Sequence, residues 1–352
     1  MKNKLFLSIV AAIFMMLILE ISARVIKNNC ISEDTYGFYR VPFKKSSLLG
    51  WELKPGAKGH WYGNFIEVNS LGFRGREVPV KTEDSFRIFC LGDSLVFGHG
   101  VEYRDSFPCK LQEYLSLLAK KQKIEVINGG IPGYATWQER ILFENKGVML
   151  KPDLLVLTFC LNDITSQASY KCGSALHRIR IFLAKNCASL DLLDNFIYYK
   201  IKRPVWLHRH KKEQNVEKNI KNSSELAKLT QFPEFAVLID KNSTLRDRWW
   251  RQTRDELKGI ISDAKENKIN VIIMAIPFRY QMYQAESDIL PQRLIREFCY
   301  QSNVSLIDLL PIFKKYNNKR IFLDVAHMSS LGNRIISKEL TKFIIKANYM
   351  NN

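Results

Sequence analysis

An apolar run at residues 88–91 stops at Gly92-Asp93-Ser94, and a helical pattern follows over residues 107–120. This feature limits most strongly what the chain can become. A short apolar run bounded by a turn reads as a buried strand. A strand that ends in Gly-Asp-Ser places a hydroxyl at the carboxyl edge of a sheet, where open α/β sheets bind ligands. Gly92 permits a tight turn that a Cβ hinders. Asp93 is suited to hold the loop through side-chain-to-backbone hydrogen bonds.

A serine hydroxyl is a weak nucleophile at neutral pH without a base, and the base needs an orienting group. Leu323-Asp324-Val325-Ala326-His327 supplies both. In a helical turn or compact loop, Asp and His three residues apart lie on the same side. The carboxylate can then fix the imidazole tautomer while the other ring nitrogen faces the serine. His99 competes for the base role, but it follows Ser94 by only five residues and has to fold back over its own loop.

With these residues in place, the chain resembles the SGNH (GDSL-type) hydrolases. Gly92-Asp93-Ser94 matches their first block and Asp324-x-x-His327 their last. Asn128-Gly129-Gly130-Ile131-Pro132-Gly133-Tyr134 resembles the second block, and Leu161-Asn162-Asp163 the third. The resemblance implies Ser94 as nucleophile, His327 as base and Asp324 as its orienting acid. It also implies an oxyanion hole formed by the Ser94 and Gly133 backbone N–H groups and the Asn162 side chain. Cys160 stands where the third block usually begins with glycine. Asp163 reads as a loop-stabilising acid rather than the triad acid. The resemblance spans about residues 85–345. It carries the expectation of a three-layer α/β/α, flavodoxin-like fold with a five-stranded parallel sheet.

The residues support that class independently. Apolar strands are expected at 88–91, 125–128, 154–159, 271–276 and 305–309. Helical patterns separate them at 107–120, 136–150, 245–265 and 291–301, with a last helix at 333–346. Alternation of near-continuous apolar strands with helices argues for a parallel sheet covered on both faces. In the 245–265 helix, Trp249 and Trp250 fall on the apolar face and read as core. The first three candidate blocks all follow strands, which places them on one edge. A Gly-x-Ser-x-Gly elbow, a Walker loop, a dinucleotide fingerprint and zinc-ligand spacing are all missing from the sequence. No cofactor and no metal is expected.

The chain divides into a leading segment at 1–24, an extension at 25–84 and a hydrolase-like domain at 85–349 with an insertion at 166–240. Lys2 and Lys4 precede an almost wholly apolar stretch at 5–19, which Glu20 interrupts. That pattern suits a single-span anchor or a signal peptide cut near Ile21-Ser22-Ala23. The leading lysines favour a cytoplasmic amino terminus at a bacterial inner membrane, with the remainder facing the periplasm or the outside. Cleavage instead yields a secreted or periplasmic protein.

In the extension, Asn69-Ser70-Leu71-Gly72-Phe73-Arg74 has two readings: Arg74 or Arg76 contacting an anionic substrate, or a packed hairpin with Arg74 in an ion pair. The insertion carries Trp206, His208 and His210 within a basic run. It reads either as a lid or membrane-facing platform or as a solvated loop. The seven cysteines lack Cys-x-x-Cys spacing; Cys90 and Cys160 read as buried residues, and a Cys172–Cys187 pairing is left open.

The formal net charge of +18, spread along the chain, reads mostly as solvated surface, with an anionic membrane or envelope polymer as the partner it would favour. No nucleic-acid-binding motif accompanies it. Functionally the sequence points to an esterase acting on an acyl ester, with a small O-acyl group on an envelope glycan or lipid as the expected substrate. An O-acyltransferase or accessory protein of polysaccharide acetylation, and a non-catalytic glycan-binding protein on the same fold, are the alternatives.

Overall fold

The structure is a computed structural model. It describes residues 2–29, 43–46, 48–61, 64–119, 122–165, 187–189, 244–283, 289–316 and 320–350. The chain opens with helix α1 (Lys2–Asn29), which includes an apolar span at Phe6–Ile26. Those 21 residues extend about 30 Å, enough to cross a hydrocarbon core by length and composition. The side chains of Phe14, Leu17, Leu19 and Ile21 are exposed. The helix continues through Glu20, which interrupts the apolar stretch at 5–19. Its carboxylate accepts hydrogen bonds from Arg24 Nε at 2.9 Å and from the backbone N–H groups of Ala188 (2.8 Å) and Ser189 (3.1 Å).

The extension forms two antiparallel hairpins, β1 (Phe43–Ser46) with β2 (Gly50–Leu53), and β3 (Lys58–Trp61) with β4 (Asn64–Glu67). Beyond it lie β5 (Ser85–Gly92), the short α2 (Ser94–Phe97) and α3 (Phe107–Leu118). Next come β6 (Lys123–Gly130), α4 (Thr136–Leu142), β7 (Leu154–Phe159) and α5 (Leu161–Thr165). The sequence pattern joins residues 136–150 in one helix. The structure keeps them helical but passes through a π turn at Phe143–Gly147 and a 3₁₀ turn at Val148–Leu150. The remaining elements are α6 (Thr244–Glu266), β8 (Asn270–Ala275), α7 (Leu290–Ser302), β9 (Ser305–Asp308), α8 (Leu310–Lys314) and α9 (Ser330–Lys346).

The five core strands are parallel, in the order β6-β5-β7-β8-β9. Counted along the core this is 2-1-3-4-5, the flavodoxin-like doubly wound order. Strands β5 and β7 are buried along their whole length, as continuous apolar runs require. Alternate residues divide between two cores. Phe89 and Leu91 join Leu155, Leu157 and Ile273 against α4, α6 and α7. Ile88 and Cys90 join Leu154, Val156 and Ile272 against α3 and α9. Asn333 of α9 accepts the Phe107 N–H at 3.0 Å, and Ser337 Oγ donates to the Phe107 carbonyl at 3.0 Å, tying those two helices together.

Winding reverses at β5, with β6 on one side and β7 on the other. Such a switch point opens a crevice at the carboxyl ends of the strands. The loops leaving β5 and β7 flank that crevice. Apart from residues 187–189, the helical segment at 175–199 lies outside the described residues, as do Trp206, His208 and His210.

Candidate active site

Ser94 is the first residue after the β5 turn. Asp93 caps the short helix it opens, accepting the Leu95 N–H at 2.9 Å through Oδ1. Loop 320–329 brings in the other end of the chain. A bridge between Phe322 and Met328 closes it, and the Leu323 N–H donates to the His327 carbonyl at 2.8 Å. Asp324 Oδ1 accepts the N–H groups of Ala326 (3.0 Å) and His327 (2.8 Å), which leaves Oδ2 turned to the imidazole.

His327 Nδ1 lies 2.8 Å from Asp324 Oδ2, and His327 Nε2 lies 3.0 Å from Ser94 Oγ. With Nδ1–H donating to the carboxylate, Nε2 keeps its lone pair for the serine O–H. Burial pushes the Asp324 carboxyl up. The His327 ring and two backbone N–H groups outweigh burial and hold Asp324 well below the usual carboxylate range. It therefore stays ionised beside the imidazole, the state needed to stabilise an imidazolium.

The first and third sequence blocks meet through Asn162, whose Nδ2 donates to Asp93 Oδ2 at 2.5 Å. Cys160 is buried, and its thiol sits against Asn162 Oδ1 and 3.9 Å from Asp93 Oδ2. A buried cysteine thus stands at the position where the third block usually has glycine. Burial pushes its thiol well above the usual range, so it stays protonated. Asp163 braces this loop, accepting the Cys160 N–H at 2.7 Å and the Thr136 hydroxyl at 2.9 Å.

Gly133 lies in the second block at a φ of +80° against the Trp51 indole. Trp51 Nε1 donates to the Pro132 carbonyl at 3.0 Å, and the Tyr134 hydroxyl donates back to the Trp51 carbonyl at 2.6 Å. The amino-terminal extension is therefore docked on the second block. Among the described residues, no acceptor takes the backbone N–H of Ser94 or Gly133.

Several features were not read from the sequence. Among the described residues Arg74 forms no ion pair, and its side chain is buried rather than open to a substrate. It is buried, and its guanidinium donates to the carbonyls of Phe97, Gly98 and Val101, each at 2.8 Å. Burial lowers its pKa to about 10, so it remains charged at neutral pH. The His99 ring stacks on that of His327, with centroids 4.1 Å apart.

Glu139 is 1% exposed, and among the described residues neither carboxyl oxygen has a hydrogen-bond partner. Burial, with Asp163 and Asp93 nearby, drives its pKa well above the ordinary value. Cys187 is a free thiol within bonding reach of Glu20 and Ser189; Cys172 lies outside the described residues. Trp250 is half-buried and packs edge-on against Phe159 and Phe298 at the border of the core. No group of three or more His, Cys, Asp or Glu side chains suited to a metal occurs among the described residues.

The sheet order is that of a doubly wound α/β fold, with Ser94, His327 and Asp324 brought together beyond its carboxyl edge. No family model and no curated protein matches the chain. Solved structures do match. An acetyl xylan esterase, AlAXEase, is 15% identical over 74% of this chain and 100% of that one, with a TM-score of 0.45. A lipase/acylhydrolase from Enterococcus faecalis is 15% identical over 74% and 95%, with a TM-score of 0.44. A G-D-S-L family lipolytic protein from Desulfitobacterium hafniense is 11% identical over 73% and 99%, with a TM-score of 0.43. Likeness at this level carries no information about the substrate.

Proposed function

We propose that this chain is a serine esterase. One observation carries the reading: the relay from Ser94 Oγ to His327 Nε2 at 3.0 Å and from His327 Nδ1 to Asp324 Oδ2 at 2.8 Å. In the proposed reaction Ser94 Oγ attacks an ester carbonyl and its proton passes to His327 Nε2. Asp324 stabilises the resulting imidazolium. The tetrahedral oxyanion is met by the Ser94 and Gly133 backbone N–H groups and by the Asn162 amide. His327 returns the proton to the leaving alcohol, leaving an acyl-serine. Water, deprotonated by His327, then releases the acid and restores Ser94.

The substrate we assign is a small O-acyl group on an envelope glycan or lipid. The span in α1 would hold the site at a membrane surface, and the +18 charge suits an anionic polymer or bilayer. We assign α1 as an uncleaved anchor of a bacterial inner membrane, with the hydrolase-like domain facing the periplasm or outside. If a second hydroxyl replaces water in the last step, the same site is an acyltransferase.

Hydrolysis of p-nitrophenyl acetate and butyrate by the full chain in detergent micelles tests the reading. Native protein is expected to turn over the acetate, and Ser94→Ala to lose at least about 10⁴-fold in kcat. Equal rates in both proteins would remove the serine mechanism. Acylation of Ser94 without turnover would favour the transferase.

A further inference from the structure

We propose that His99 is a positioning residue for His327, and that the amino-terminal extension acts on the reaction through it. The inference rests on the serine esterase reading above. The planes of the two imidazoles lie 27° from parallel, with centroids 4.1 Å apart. His327 must direct one nitrogen at Ser94 and the other at Asp324 simultaneously. Its hydrogen bonds fix the line through those nitrogens but only weakly resist rocking of the ring about that line. A ring stacked on one face resists that motion directly.

His99 is itself held from behind. It meets Trp61 edge-on at 5.0 Å and 88°. Trp61 also packs edge-on against Phe97 at 5.4 Å and Phe43 at 5.4 Å. The backbone sets the height of His99. Gly98 adopts φ 83°, a left-handed cap that reverses the chain after α2. The His99 N–H donates to the Ser94 carbonyl at 3.0 Å, and Arg74 grips the carbonyls on both sides of it. A ladder of rings therefore runs from hairpin β3–β4 through His99 to His327. This face-to-face contact orients a base; it does not make His99 a second proton acceptor for Ser94.

The test compares native full chain, His99→Ala and His99→Phe in detergent micelles. It measures kcat and KM separately on p-nitrophenyl acetate, together with the rate of fluorophosphonate labelling. Loss of the stacked ring in His99→Ala is expected to lower kcat and the labelling rate about 10-fold, with KM within about twofold of native. His99→Phe restores a flat ring without nitrogens and is expected to recover to within about threefold of native. Trp61→Ala is expected to shift kcat in the same direction by less. Native kcat in His99→Ala would overturn the proposal. So would a His99→Phe protein as slow as His99→Ala, since the effect would then belong to the nitrogens. A folded native chain without Ser94-dependent turnover or labelling would instead overturn the esterase reading, and the role of His99 with it.

Discussion

Asn162 belongs to two networks. An amide nitrogen carries two hydrogens, and Asp93 takes one of them at 2.5 Å. Asn162→Ala is expected to lower kcat about 10²–10³-fold with little change in KM, because the lost donor acts on charge that develops in the transition state. Steady-state kinetics on p-nitrophenyl acetate checks this.

Glu139 gives a stability prediction with a defined sign. Its pKa is raised well above 4.5 by burial and neighbouring acids. Between the unfolded value and that raised value the folded chain holds a proton that the unfolded chain has released. Stability therefore falls as pH rises through this window. Glu139→Gln removes the loss, so its thermal stability relative to native should improve between about pH 5 and about pH 8. An equal difference at both pH values would contradict the assignment. Ser94 and His327, which are 233 residues apart in sequence, were legible because their blocks carry chemistry as residue types. Glu139 was not legible, since an acid on the buried side of a helix reads as part of its polar face.

At the scale of elements, Arg74 shows where sequence patterns stop informing. Its partners are backbone carbonyls, which leave no mark on side-chain identity, and both expected roles assumed charged partners. Arg74→Ala leaves three carbonyls without their donor and should cost on the order of 3 kcal/mol in unfolding free energy. Arg74→Lys cannot span the same fork and should recover only part of that loss. Thermal and urea unfolding of both variants measure it; native stability in Arg74→Ala would contradict the clamp. The core strands were readable because parallel strands buried on both faces appear as apolar runs. Their order was carried by the resemblance rather than by periodicity, since every strand of this kind looks alike. Helix α1 continued through Glu20 because that carboxylate has Arg24 and two backbone N–H groups to meet it, a partnership spanning 168 residues or more on the far side.

At the scale of the molecule, an apolar amino-terminal helix, aromatic hairpins and a parallel sheet lie along one chain. If α1 anchors the protein, the full chain should stay with membranes through alkaline carbonate washing, and a version lacking residues 2–29 should not. Release of the full chain would count against the anchor. The hairpins connect the extension to the sheet edge through Trp51 at the second block and Trp61 at His99. The proposed chemistry depends on Ser94 acting as a nucleophile activated by His327. It is tested most directly by treating the folded full chain with a fluorophosphonate and mapping the adduct by peptide mass spectrometry. An adduct is expected on Ser94, absent from Ser94→Ala and strongly slowed in His327→Ala. A folded native chain with no adduct at Ser94, or an adduct formed equally fast in His327→Ala, would contradict it.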